Sequence, residues 1–136
     1  MGLMEAKDHG AETCILLDHE GKHVTEGPGF NVFSVSADGR VVTADSGMLE
    51  GVTRRSVLEI CAELGLEVEC RPLSLDEFMR SAEVFLSSSG GGVMPITKVD
   101  DTVIGDSTPG KITRRIRERY WQWMARPEMR TEIKYK

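Results

Sequence analysis

Apolar positions along this chain fall into short runs with two spacings. Thr13-Cys14-Ile15-Leu16-Leu17, Asn31–Val35 and Arg40–Thr43 are compact apolar stretches bounded by turn formers, and each predicts a strand. Asp18-His19-Glu20-Gly21-Lys22 reads as a turn, and Asp38-Gly39 is a hairpin signal. From Thr53 to Leu64 the spacing lengthens. Val57, Ile60, Cys61 and Leu64 share one face of a helix, which Gly65 ends. Residues 2–9 read as the end of another helix, stopped by Gly10.

Leu66–Cys70 predicts a short strand. Ser74-Leu75-Asp76-Glu77 has the spacing of a reciprocal capping box, opening a short helix to about Arg80. Val84–Leu86 and Val93–Val99 are further strands. Thr108-Pro109-Gly110 opens the last helix, with Pro109 at its first position. That helix runs through Trp123 and stops before Pro127. Helices and strands alternate, so the expected class is mixed α/β (α+β).

With 136 residues the chain fits one domain, 1–136, with a buried core. A 40% hydrophobic and 29% charged composition is that of a globular protein, and no apolar run is long enough to span a bilayer. The N-terminus lacks a basic stretch followed by an apolar one, and Ala6 stands where a myristoylation signal wants Ser or Thr. A cytoplasmic location is expected. Cys14, Cys61 and Cys70 are odd in number and lack zinc-site spacing, so each is read as a small buried hydrophobe. Residues 111–136 hold nine Lys or Arg against three Asp or Glu, within a chain of net charge -5. Arg114, Arg115, Arg117 and Arg119 carry no groove-reading motif, so they predict a solvated or subunit-facing helix, and no nucleic-acid partner.

His19-Glu20-Gly21-Lys22-His23 matches the zinc-protease pattern H-E-x-x-H letter for letter. That chemistry needs both histidines on one helix face. Here an apolar strand precedes the motif, and Asp18 and Gly21 form turns. No metal is expected.

Three other features could serve a single anionic ligand. Val52 and Thr53 open a helix after Gly51, and their amides face outward at the positive end of the helix dipole. Ser88 and Ser89 sit at a strand end before three glycines, where hydroxyls and unhindered amides can hold a phosphate or a carboxylate. Glu26 stands in a glycine-rich turn, placed to face a cationic ring nitrogen. Taken singly, these are also an ordinary helix start, an ordinary turn and a surface carboxylate.

Taken in order, they resemble the fold-type IV pyridoxal 5'-phosphate (PLP) enzymes. Those include branched-chain, D-amino-acid and (R)-amine transaminases and aminodeoxychorismate lyase. The resemblance runs from about residue 1 to residue 124. It rests on Gly10-Ala11-Glu12, Thr25-Glu-Gly-Pro-Gly-Phe-Asn-Val-Phe33, Leu49-Glu-Gly-Val-Thr-Arg54, Gly90-Gly-Gly-Val-Met-Pro95 and Pro109-Gly-Lys-Ile-Thr113. It implies the C-terminal domain of the D-amino-acid aminotransferase-like fold, a barrel-like mixed sheet with flanking helices. It also implies PLP as cofactor. By this resemblance Glu26 pairs with the pyridine nitrogen, which keeps an electron-sink ring protonated. Leu49 packs on the ring, and the amides of Val52 and Thr53 hold the phosphate with the Ser89 hydroxyl. Ser88 flanks that site, and Gly29 and Gly51 belong to the same cofactor-binding set. Gly90 and Gly91 border the substrate carboxylate.

Two departures from the family bear on substrate. Ser89-Gly90-Gly91-Gly92 replaces a more usual Thr-Ala-Gly-Gly or Thr-Ala-Ala, which keeps a hydroxyl and loosens the turn. Phe30 stands where branched-chain enzymes often carry Glu, and Gly29-Phe30-Asn31 looks more like the (R)-amine transaminase pattern. The family's Schiff-base lysine falls upstream of Met1, and Lys7 occupies no catalytic position, so no catalytic residue is assigned. The resemblance therefore implies the cofactor-cradling part of a transaminase. Its parent reaction moves an amino group between an amino acid or amine and a 2-oxo acid, in a homodimer. An aminodeoxychorismate lyase-like domain, and a non-catalytic phosphate-binding or structural fragment, stay open as alternatives.

Overall fold

The computed structural model describes residues 2–129; the end of the basic stretch, 130–136, lies outside the described residues. Helix α1 (Gly2–Asp8) leads into an irregular segment, followed by β1 (His23–Val24), β2 (Glu26–Gly27), β3 (Phe30–Val35) and β4 (Val41–Thr43). Helix α2 (Val52–Glu63), β5 (Val68–Cys70), β6 (Leu73–Ser74) and α3 (Leu75–Met79) come next. The chain continues through β7 (Glu83–Ser88), β8 (Gly92–Ile96), β9 (Lys98–Val99), β10 (Thr102–Val103) and α4 (Lys111–Met124).

The main sheet has the order β5-β4-β3-β7-β8, and β2 also pairs with β3. Its β4–β5 pairing is parallel and its other pairings are antiparallel. This is the mixed α+β architecture implied by the sequence. The central strands are buried on both faces, so alternate residues feed two cores. Phe33, Val35, Val41 and Phe85 face α2 and α4, meeting Val57, Ile60, Cys61, Ile116, Tyr120 and Trp123. Val32, Val42 and Val84 face the other way, toward Val24, Leu73, Phe78 and Ile104. The two helices are also tied to each other. Glu63 at the end of α2 accepts from the Trp123 indole N–H at 3.0 Å and pairs with Arg119.

Several sequence expectations are corrected. Thr13–Leu17 forms no strand. It makes one isolated bridge, Leu17 with Val24, and two backbone bonds, Leu16 N–H to Glu26 O and Thr25 N–H to Leu16 O, too few for a ladder. Val93–Val99 breaks at Thr97, because β9 leaves the sheet to form a hairpin with β10. Pro95 is tolerated in β8 because that strand is an edge. The capping box is half made. Ser74 Oγ accepts from Glu77 N–H at 3.2 Å, but the Glu77 carboxylate is taken by Arg71 at 2.8 Å. Pro109 precedes the cap of α4 and is not its first residue. The cap is Gly110, and the Glu83 carboxylate accepts from the Ile112 and Thr113 amides at 3.2 and 2.8 Å.

Of the three cysteines only Cys61 is buried, which pushes its thiol up to about 12; Cys14 is half-buried and Cys70 exposed. His19-Glu-x-x-His23 spans a turn, as its context suggested. Asp18 accepts from Lys22 N–H and contacts the His23 ring, and those bonds hold its carboxyl down at about 2. No described helix is long and apolar enough to cross a membrane.

Candidate functional site

The sheet delivers its chemistry at one end, where β2, β3, β7 and α2 converge. Strand β7 runs further than the apolar run suggested and carries Ser87 and Ser88 within it, so the turn proper is Ser89 to Gly91. Alternation puts Ser87 and Ser88 on opposite faces of the strand, and Ser89 follows in the turn. Ser88 Oγ is committed to the turn, accepting from Gly91 N–H at 3.0 Å. Ser87 is 1% exposed, and its hydroxyl has no hydrogen-bond partner among the described residues.

Helix α2 starts beside these serines. Its cap, Gly51, is extended and offers no side-chain acceptor. Among the described residues nothing else accepts from the Val52, Thr53 or Arg54 amides, whereas α3 is capped by Ser74 and α4 by Glu83. An open, positively polarised end is thus left facing outward. The guanidinium of Arg54, buried within α2's first turn, donates to Ala44 O at 2.9 Å and lies 3.5 Å from the Glu50 carboxylate, anchoring that end of the helix to the strand β4 side.

A pocket of about 440 Å³ opens between these elements. That is within the usual range for a small-molecule site, about 300–1,000 Å³. Glu26, Gly29, Leu49, Gly51, Thr53, Ser88 and Ser89, all singled out in the sequence, border it. Three others do not. The Val52 side chain is 74% exposed and turned away, so only its amide is available; Gly90 and Gly91 lie beyond Ser89 on the turn. Leu16, Pro28, Phe30, Asn31 and Ser87 are also on the wall. Asn31 and Ser87 went unassigned because their partners come from other segments. A polar residue in an otherwise apolar strand was the only local signal.

Glu26 is half-buried at one side of the pocket. Its Oε2 accepts from Leu49 N–H at 2.9 Å, while Asn31 Nδ2 donates to Leu49 O at 2.7 Å. The Leu49 side chain is 77% exposed on the wall. Gly51 is required here, because a Cβ at that position would lie 2.5 Å from Asn31 Oδ1. The arrangement can take a ligand with an anionic group against α2 and Ser89, a flat apolar body against Leu49, and a cationic or donor group at Glu26.

A family model, amino-transferase class IV, matches residues 1–99, and the chain belongs to that family. The branched-chain-amino-acid aminotransferase of Escherichia coli (strain K12) is 34% identical over 119 residues, 86% of this chain and 38% of that protein. A probable branched-chain-amino-acid aminotransferase of Synechocystis sp. is 37% identical over 115 residues, 83% of this chain and 36% of that one. The branched-chain amino acid aminotransferase from Thermobaculum terrenum, solved in its PLP-bound holo form, superposes with a TM-score of 0.85 at 38% identity, covering 90% of this chain and 40% of that structure. The chain therefore spans well under half the length of these relatives.

Proposed function

We propose that this chain holds pyridoxal 5'-phosphate for amino-group transfer between an amino acid and a 2-oxo acid, of the branched-chain-amino-acid type. The observation that carries the reading is the pocket on which the uncapped end of α2, Ser89, Leu49 and Glu26 all converge. The site fits the cofactor chemically. The unpaired α2 amides and the Ser89 hydroxyl suit a phosphate. Exposed Leu49 offers an apolar face to a ring. Glu26, with Oε1 left open, holds a proton on a ring nitrogen by charge. When bound, PLP supplies an electron sink for carbanion chemistry at the substrate.

The chain's own contribution is to bind and orient: α2 fixes the anionic end, Leu49 the plane, Glu26 the protonation of the ring. Gly90 and Gly91 are proposed to border the substrate carboxylate from outside this pocket. No catalytic residue is assigned. The reading extends to a homodimer acting in the cytoplasm on small amino and 2-oxo acids.

Calorimetric titration with pyridoxamine 5'-phosphate tests it, since that form cannot label surface lysines. Glu26→Ala and Ser89→Ala should each weaken binding by about tenfold, the effect of one lost charge-assisted bond. Absence of binding to the unaltered chain, or binding by both variants as tight as that of the unaltered chain, overturns the reading.

A further inference from the structure

We infer that Asn31 is a positioning residue for Glu26, acting through the backbone of Leu49. The inference rests on the cofactor-site reading above and extends it to a residue of the pocket wall that this reading leaves without a role. Glu26 and Asn31 are register partners across β2 and β3. Their side chains nonetheless reach the same third residue, from 23 and 18 positions away. Glu26 Oε2 takes the Leu49 N–H at 2.9 Å, and Asn31 Nδ2 gives a hydrogen bond to the Leu49 carbonyl at 2.7 Å. Leu49 lies in the irregular segment between β4 and α2, and among the described residues these are its only backbone hydrogen bonds.

The side chain of Leu49 cannot orient this backbone, because it is 77% exposed. Asn31 can, because it is 5% exposed on a central strand and its own backbone is held in the β3–β7 ladder. The bond to the Leu49 carbonyl fixes which way that residue faces. This in turn aims the Leu49 amide at Glu26 Oε2 and limits rotation of the carboxylate, whose Oε1 has no hydrogen-bond partner among the described residues. The close fit of Asn31 Oδ1 against Gly51 extends the same control to the start of α2. A single buried amide thus sets the ring carboxylate, the apolar platform and the anion end relative to one another.

The ligand-free chain provides the first test, by amide hydrogen exchange in NMR. Asn31→Ala should speed exchange at Leu49 by about tenfold while the β3–β7 ladder amides keep their protection. Asn31→Asp, which keeps the shape but loses the donor, should do the same and covers a folding failure of the alanine variant. Glu26→Gln retains an acceptor for the Leu49 amide and should keep the protection that Glu26→Ala loses. Unchanged Leu49 exchange in Asn31→Asp overturns the inference, whether or not any cofactor binds.

The second test is a double-mutant cycle on pyridoxamine 5'-phosphate affinity. Asn31→Ala and Glu26→Ala should be strongly non-additive, because both act through Leu49. Strict additivity overturns the inference. Failure of the unaltered chain to bind overturns the cofactor reading instead, and leaves the exchange result to decide the clamp.

Discussion

Glu77 shows how one carboxylate is contested at the residue scale. Its spacing from Ser74 suits a reciprocal cap, yet Arg71 takes the side chain, because a guanidinium offers two charged donors where the cap offers one neutral amide. Arg71 also contacts Glu69, and the pairing with Glu77 holds that carboxyl below its ordinary value of 4.5. A depressed folded value stabilises the fold above the unfolded value, and the contribution is lost as the pH falls through the folded one. Both side chains are more than a third exposed, so screening limits the pair to about 1 kcal/mol or less. Glu77→Gln should therefore lower the urea midpoint slightly at pH 7, and the deficit should shrink as the pH falls below 4.5. A deficit that persists at low pH would assign the loss to something other than this ion pair.

At the scale of elements, α4 depends on a strand for its beginning. Glu83 opens β7 and caps α4, bridging 29 and 30 residues in sequence with two bonds to amides. A carboxylate at a helix N-terminus satisfies orphan donors and complements the dipole. Glu83→Ala should cost about 1–3 kcal/mol in chemical denaturation, the range for leaving partly buried donors unpaired. Gly110→Ala should be comparably costly, because its Cβ would lie 2.0 Å from the Glu83 side chain. If either variant matches the unaltered protein, the capping role fails. The sequence placed α4 within two residues but named Pro109 as its first position, since nothing local to Pro109 points to Glu83.

Over the whole molecule, the fold and the site are supported by different residues. Phe33 and Phe85 are cross-strand partners with ring centroids 4.8 Å apart, fully buried between the sheet and α2 and α4. Phe85→Ala should cost about 3–5 kcal/mol, as large core truncations do. Leu49→Ala, at an exposed position, should change stability by no more than about 0.5 kcal/mol while weakening pyridoxamine 5'-phosphate binding. Thermal melts with and without that compound separate the two. A large stability loss at Leu49 would show that the wall is part of the core.

What neighbouring residues decide could be read directly from the order of amino acids. Helix α2 and its buried stripe, the Asp38-Gly39 hairpin, the Ser74 cap and the turn between His19 and His23 all follow from spacings of a few residues. Seven of the ten residues singled out for a ligand border one pocket. Which polar atoms in that pocket are free was settled by the folded arrangement alone. Ser88 Oγ is spent on its own turn, Ser87 is buried without a partner among the described residues, and Glu26 and Asn31 meet at Leu49. The difference is physical. Periodicity and turn chemistry are encoded in the backbone preferences of adjacent residues. A hydrogen bond such as Asn31 to Leu49 or Glu83 to Thr113, between positions 18 and 30 residues apart, exists only once the sheet has closed and burial has removed water as the competing partner.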